Sequence, residues 1–193
     1  MQGPVRVGVL ISGAGSNMAA LIDAGRAADA PFQVVVVLSN QTDAGGLAVA
    51  EAKGVPTAAI DHRVFGKSRE AHERAVDAVL ADHDVQVVAL AGYMRLLTPW
   101  LVQRRAGRML NIHPSLLPLY PGLDTHARAL AAGDAEAGCT VHLVTEGVDE
   151  GPILDQARVP IISEDTPLSL AERVKVAEHQ LYPRALARFC TTL

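Results

Sequence analysis

Asn111 and His113 stand at the end of a short apolar run that begins at Met109 and is followed by Pro114 and Pro118. Side chains alternate along a β-strand, so residues two positions apart point to the same face. An amide that donates a hydrogen bond and an imidazole that titrates near neutral pH would therefore emerge side by side. This pair suits acyl transfer, because the amide can stabilise an oxyanion while His113 moves a proton. The residues alone leave a second interpretation open, in which both side chains cap a loop.

An acidic loop further along the chain offers a carboxylate to this pair. Gly147 and Gly151 permit a tightly folded loop that carries Asp149 inward. A carboxylate close to His113 would favour the imidazolium, which can donate a proton or a hydrogen bond to an oxyanion. We therefore predict that Asp149 tunes His113. The alternative for any single loop acid is a solvated surface position.

A glycine-rich loop runs from Ser12 to Asn17, after the first apolar run and before a helical pattern. Backbone N–H groups in such a loop can point at an anion beside the positive end of a helix. A dinucleotide-binding loop would have a third glycine at the position of Met18 and an acid near Asn40, at the end of the second strand. NAD binding is therefore disfavoured, although an empty strand-to-helix turn remains an alternative. The loop predicts a site for a single phosphate monoester, formed by Gly15, Ser16 and Asn17.

Composition limits the class of protein. The chain has 193 residues, 49% of them hydrophobic and 4% aromatic, which is enough for one domain with an aliphatic core. The net charge is -4 and no run of Lys and Arg occurs, so we expect small-molecule substrates and neither nucleic-acid nor membrane partners. Cys139 and Cys190 lie far apart without metal-ligand spacing, which predicts reduced thiols and no metal. The first residues do not follow the pattern of a signal peptide, so a cytoplasmic protein is expected.

Val- and Ile-rich runs alternate with Ala-rich amphipathic segments, which predicts a doubly wound α/β fold with a mostly parallel sheet and a Rossmann-like first half. The predicted strands are Val5 to Ile11, Phe32 to Leu38, Thr57 to Ile60, Val85 to Leu90 and Met109 to Ile112. The predicted helices between them are Met18 to Ala28, Leu47 to Ala52 and Glu70 to Ala81.

The pattern changes after His113, where we expect additional and partly antiparallel strands. A short helix is predicted from Thr125 to Ala132, followed by strands at Thr140 to Val144 and Ile153 to Val159. Thr166 and Pro167 open a last amphipathic helix, which Pro183 is expected to kink or end. We expect a single domain over residues 1–193, with a phosphate-binding half at 1–110 and a catalytic half at 111–193.

Four segments together resemble the phosphoribosylglycinamide formyltransferases of purine synthesis: Ser12 to Asn17, Leu90 to Leu97, Asn111 to Pro118 and Asp149 to Ile153. The histidine strand and its Leu-Leu-Pro turn are shared by folate-dependent formyl-transfer and formyl-hydrolysis enzymes. The segment Tyr120 to His126 is similar to the glycinamide ribonucleotide branch. The resemblance runs from the first strand to the last helix, with departures at Leu119 and Asp124, where relatives often have lysine and histidine.

The resemblance implies transfer of the formyl group of 10-formyltetrahydrofolate to the amine of 5-phosphoribosylglycinamide, without a metal, and it makes the catalytic half at 111–193 the folate-binding half as well. We expect a monomer or a homodimer, and the sequence does not decide between them. It implies that Asn111, His113 and Asp149 are catalytic. It also implies that the nucleotide substrate is held by Gly15, Ser16, Asn17, Lys175 and Glu178, and the folate by Arg69, Met94, Arg95, Leu96, Leu97, Asn111, Thr145 and Asp149.

Two other functions stay open from the sequence. A formyltetrahydrofolate hydrolase would use water in place of the amine and would need no phosphate loop. A non-catalytic nucleotide- or folate-binding module would leave the combination of Asn111, His113 and Asp149 unexplained. A serine hydrolase based on Ser115 is weaker, because no nucleophile-elbow pattern surrounds that residue.

Overall fold

Seven strands form one sheet in the computed structural model, which describes residues 3–193. The strands are β1 (Val5–Ile11), β2 (Phe32–Ser39), β3 (Thr57–Ala59), β4 (Val87–Leu90), β5 (Met109–His113), β6 (Glu136–Leu143) and β7 (Ile153–Pro160). Their order across the sheet is β3-β2-β1-β4-β5-β6-β7. The first five strands are parallel, whereas β6 is antiparallel to both β5 and β7. The predicted fold class, including the antiparallel strands of the second half, is confirmed.

Helices cover both faces of this sheet. They are α1 (Ser16–Ala24), α2 (Gly45–Ala52), α3 (Arg69–Asp82), α4 (Pro99–Arg104), α5 (Thr125–Ala132) and α6 (Pro167–Cys190), with a 3-10 turn at His62–Phe65. Leu21 of α1, Ala50 of α2 and Val174 of α6 share one apolar core. Leu80 of α3 and Leu101 of α4 belong to the second core, on the opposite face. The aliphatic strands are therefore buried on both sides, which explains their continuous Val and Ile runs. None of the helices in residues 3–193 has the length and apolarity required to cross a membrane.

The long helix α6 does not end at Pro183, which lies inside it. Leu181 and Tyr182 before the proline, and Leu186 after it, are buried against the sheet. The Tyr182 hydroxyl also reaches the carbonyl oxygens of Leu90 and Leu110, at 3.0 and 3.2 Å. Packing on both sides of Pro183 thus keeps α6 helical despite the missing backbone donor.

The carboxyl ends of β1, β4 and β5 meet at one edge of the sheet. The chain leaves β1 toward β2 on one side, whereas β4 lies on the other side of β1, so a crevice opens outside these strand ends. Leu10 pairs with Leu90, and Leu90 pairs with Asn111. This register brings the loops that follow the three strands together around the candidate site.

Candidate active site

Strand β5 carries Asn111 and His113 on one face, as the spacing of two predicts. The antiparallel neighbour β6 places His142 opposite Asn111 and Thr140 opposite His113. Side chains paired in this way across two strands lie within contact distance. His113 is buried, and Asn111 is half-buried. The two groups therefore stand at the edge of the core, where their hydrogen bonds are shielded from water.

Asp149 reaches His113 from the loop between β6 and β7. Its Oδ2 lies 3.4 Å from Nδ1 of His113 and accepts a hydrogen bond of 2.9 Å from the Gly122 N–H. The residue has a left-handed backbone conformation, with φ of 55°. The loop returns to the sheet at Gly151, where a Cβ would lie 1.7 Å from the carbonyl oxygen of Leu143. A glycine is therefore required at this point for the loop to bring the carboxylate inward.

The second ring nitrogen of His113 also faces an oxygen. Nε2 lies 2.9 Å from the carbonyl oxygen of Tyr120. The Ser115 hydroxyl donates to the carbonyl oxygens of Leu119 and Tyr120, at 2.6 and 3.3 Å, and so fixes the loop that carries this acceptor. A doubly protonated imidazole can donate to both Asp149 and Tyr120, whereas a neutral ring can donate to one of them. Both ring nitrogens of His113 thus face an oxygen acceptor.

His142 joins Asn111 to Asp149 and was missed by the sequence interpretation. Its Nε2 lies 3.3 Å from Nδ2 of Asn111 and 3.6 Å from Oδ1 of Asp149. Its Nδ1 lies 2.9 Å from the carbonyl oxygen of Leu143. Nε2 of His142 thus lies between the Asn111 amide and the Asp149 carboxylate, and Nδ1 is directed at the backbone. His142 has no local sequence signal, because its position opposite Asn111 depends on the register between β5 and β6.

Asp149 is held in its charged form. Burial raises the pKa of this carboxyl group. The neighbouring His142, the Gly122 N–H and the electrostatic effect of His113 all lower it, and together they bring the pKa below its usual value. Asp149 therefore carries a negative charge at neutral pH and can serve as the counter-ion of a protonated His113.

The glycine loop after β1 makes a tight turn at the start of α1. Gly15 has φ of 72°, and a Cβ there would lie 2.6 Å from the Met18 side chain and 3.1 Å from Cα of Gly46. Ser16 and Asn17 are the first residues of α1. Their backbone N–H groups belong to the positive end of the helix, where an anion is stabilised.

Glu178 of α6 lies beside this loop. Its Oε2 accepts a 2.8 Å hydrogen bond from Nδ2 of Asn17, whose Oδ1 is buried without a partner among residues 3–193. Burial raises the pKa of Glu178, although the Asn17 hydrogen bond and the charge of Lys175 act in the opposite direction. Lys175 itself is exposed, about one turn earlier on α6. The structure thus brings Asn17 and Glu178 together, while Lys175 lies at the surface nearby.

The segment Met94–Leu97 follows β4, which flanks β5 and its Asn111 on the side away from β6. Met94 and Leu96 expose 67% and 60% of their surface, whereas Leu97 packs on the second core. Arg95 lies close enough to His72 for its positive charge to help lower the pKa of that ring, after the larger effect of burial. The remaining predicted folate contacts, Arg69 at the start of α3 and Thr145 after β6, are both exposed. The described residues contain no cluster of three or more His, Cys, Asp or Glu that could hold a metal ion.

Comparison with known families and curated proteins gives a consistent result. The formyl transferase family matches residues 5–186. The human trifunctional purine biosynthetic protein adenosine-3 is 48% identical over 181 residues, which are 94% of this chain and 18% of that protein. The chain thus spans less than a fifth of the trifunctional relatives it matches. The phosphoribosylglycinamide formyltransferase of Escherichia coli is 45% identical over 94% of this chain and 85% of its own length.

Two solved structures are also similar. The phosphoribosylglycinamide formyltransferase of Brucella melitensis has a TM-score of 0.93 and 54% identity, covering 97% of this chain and 96% of its own. The glycinamide ribonucleotide transformylase 1 of Symbiobacterium toebii has a TM-score of 0.95 and 45% identity, covering 99% of this chain and 90% of its own.

Proposed function

The chain belongs to the formyl transferase family, and we propose that it transfers the formyl group of 10-formyltetrahydrofolate to the amine of 5-phosphoribosylglycinamide. The products are the N-formylated nucleotide and tetrahydrofolate, a step of purine biosynthesis. The observation that carries the proposal is the contact between Asp149 and His113 beside Asn111, at the sheet edge where the glycine loop after β1 also lies. The E. coli relative bears the name of this activity.

The mechanism uses the charge pattern around His113. The substrate amine attacks the formyl carbon, and the Asn111 amide and the protonated His113 stabilise the resulting oxyanion. The C–N bond to the folate then breaks, while the proton lost by the amine reaches the folate nitrogen through His113 or a water molecule held by Asp149. Nε2 of His113 lies 2.9 Å from the Tyr120 carbonyl oxygen, so the formyl oxygen has to replace this acceptor to receive a hydrogen bond from Nε2.

The binding residues divide between the two substrates. We assign the phosphate to the backbone and side-chain donors of Gly15, Ser16 and Asn17 at the positive end of α1. Glu178, hydrogen bonded to Asn17, would accept from the glycinamide or ribose end, with Lys175 adding positive charge at the rim. The folate would lie between the exposed apolar segment Met94–Leu97, including Arg95, and the loop from Thr145 to Asp149, with its acidic tail toward Arg69.

The candidate catalytic residues and the candidate nucleotide-binding residues meet within a single chain, which supports a functional monomer or a homodimer of independent sites. Asn111, His113, Asp149, Asn17 and Glu178 all come from one chain. The net charge of -4 favours small-molecule substrates over nucleic acid as partners.

One assay separates transfer from hydrolysis. The protein is incubated with 10-formyltetrahydrofolate, with or without 5-phosphoribosylglycinamide, and release of tetrahydrofolate is followed. Release that depends on the nucleotide amine supports the transferase. Equal release without the amine would identify a hydrolase, and an absence of release in both reactions would leave a binding module. Glycinamide without the ribose phosphate is the control for the phosphate loop, and we expect it to be a poor acceptor.

A further inference from the structure

Glu73 is a nearly buried acid on α3, 3% exposed, that holds the start of α4. Its Oε1 accepts a 2.7 Å hydrogen bond from the Thr98 N–H, and its Oε2 accepts one from the Thr98 hydroxyl. Thr98 is the N-cap of α4, but its own side chain does not cap the helix. Glu73 therefore fixes both the backbone and the side chain of Thr98, the residue directly after the segment Met94–Leu97.

The other end of this segment is fixed as well. The Met94 N–H donates to the Ser12 hydroxyl at 2.8 Å, and that hydroxyl donates to Oδ1 of Asn40 at 2.5 Å. Two side chains from separate elements, Ser12 and Glu73, thus anchor the segment at its two ends. Met94 and Leu96 between these anchors remain exposed and belong to no core.

Anchoring the segment at both ends affects the free energy of ligand binding. A loop that must be ordered when a ligand binds loses conformational entropy in that step, and this loss weakens binding. Anchors that are formed before the ligand binds reduce this entropy cost and so strengthen binding. Because Leu90 at the end of β4 pairs with Asn111, the anchored segment borders the strand that carries the candidate catalytic pair.

We propose that Glu73 is a positioning residue, which fixes the Met94–Leu97 backbone as one wall of the folate site. It sets the affinity for the folate through Thr98, without touching either substrate. The inference rests on the proposed function, since it takes 10-formyltetrahydrofolate as the ligand of this wall. Glu73 is expected to affect folate binding far more than binding of the nucleotide acceptor, whose predicted contacts lie on α1 and α6.

The test compares Glu73→Ala with two matched variants. Glu73→Gln keeps an oxygen for the Thr98 N–H and offers an amide donor to the Thr98 hydroxyl, so it preserves the anchor. Asp77→Ala removes another nearly buried acid of α3, one turn later, that contacts Arg104 and Arg105 at the far end of α4. Asp77 thus controls for a general loss of packing between α3 and α4.

The measurements are KM for each substrate, kcat, and the Kd of tetrahydrofolate from direct titration. Glu73→Ala should raise both the folate KM and the tetrahydrofolate Kd by about tenfold, the order expected when hydrogen-bonding groups are left unsatisfied. The acceptor KM should stay within about twofold. Glu73→Gln should bind tetrahydrofolate nearly as wild type does, and so should Asp77→Ala.

Three results would overturn the inference: an unchanged folate Kd in Glu73→Ala, an equal increase in Asp77→Ala, or an equal increase in both KM values. If Glu73→Ala does not fold, Thr98→Ala removes one of the two bonds and should raise the Kd by about threefold. A wild-type protein that binds tetrahydrofolate without catalysing transfer would refute the proposed function, while the Kd comparison would still decide the role of Glu73. A wild-type protein that binds no folate would refute both.

Discussion

The substitution Asp149→Asn removes the negative charge beside His113 and keeps the shape of the side chain. Oδ2 of Asp149 accepts from the Gly122 N–H and lies 3.4 Å from Nδ1 of His113. Asparagine can keep its carbonyl oxygen at this position and turn its amide toward Nε2 of His142. The loop should therefore retain its conformation, and any loss of activity can be assigned to the charge.

The size of the effect follows from the distance. Two unit charges 3.4 Å apart interact by about 5 kcal/mol at an effective dielectric constant of about 20. The Asp149 side chain is 13% exposed, so solvent reduces this energy. We expect a loss of about 3 kcal/mol in the transition state, which corresponds to a decrease in kcat on the order of 100-fold.

The assay is tetrahydrofolate release with both substrates saturating, at several pH values. Because the pKa of Asp149 lies below its usual value, the wild-type enzyme should keep this charge at pH values where an ordinary aspartate is already protonated, and Asp149→Asn should lack the corresponding acid limb. The matched control is Asp134→Asn, which alters a nearby acid bonded to the Tyr120 hydroxyl at 2.6 Å. A kcat for Asp149→Asn within threefold of wild type, or an equal loss in the control, would refute the electrostatic role of Asp149.

Three further predictions concern stability and binding. Burial raises the pKa of Glu178 in the folded protein above its unfolded value of 4.5. The charged carboxylate therefore opposes folding at a pH above both the folded and the unfolded pKa, whereas below pH 4.5 the group is protonated in both states and has little effect. Glu178→Gln should therefore raise Tm at pH 7 by a few degrees and change it little at pH 4 in thermal unfolding, while raising the acceptor KM. Gly151→Ala places a Cβ against the Leu143 carbonyl and should lower the free energy of unfolding by about 2–4 kcal/mol in urea, whereas Gly45→Ala, with open space around it, should change it by less than about 0.5 kcal/mol. Tyr182→Phe removes the hydroxyl that bonds Leu90 and Leu110 and should cost about 1–2 kcal/mol by the same measurement; an unchanged midpoint would show that these carbonyls need no such partner.

Local patterns predicted most of the fold. The bounds of β1 and α5 agree with the predicted ranges, because each combines a regular apolar period with clear flanking residues. The helix α4 was missed, since its six residues are too few to show a period. The strand β6 begins at Glu136, before the predicted Thr140, because pairing with β7 extends a strand that the sequence shows weakly.

The sequence by itself determined which chemical groups stand at the strand ends. The spacing of Asn111 and His113, the glycines before α1 and the apolar segment after β4 are all local features, and one sequence displays them completely. Side-chain alternation and helix polarity convert such features into orientation without any knowledge of distant residues.

The tertiary structure decided which distant groups meet. Asn17 bonds Glu178 across 161 positions of the chain, His142 reaches Asn111 through the register of two antiparallel strands, and Glu73 anchors Thr98 from another helix. Each contact depends on the order of the strands and on the loops that join them, and no local pattern encodes either. The sequence therefore fixes the functional groups locally, while the contacts that orient them and set their charge come from packing of the whole sheet with its helices.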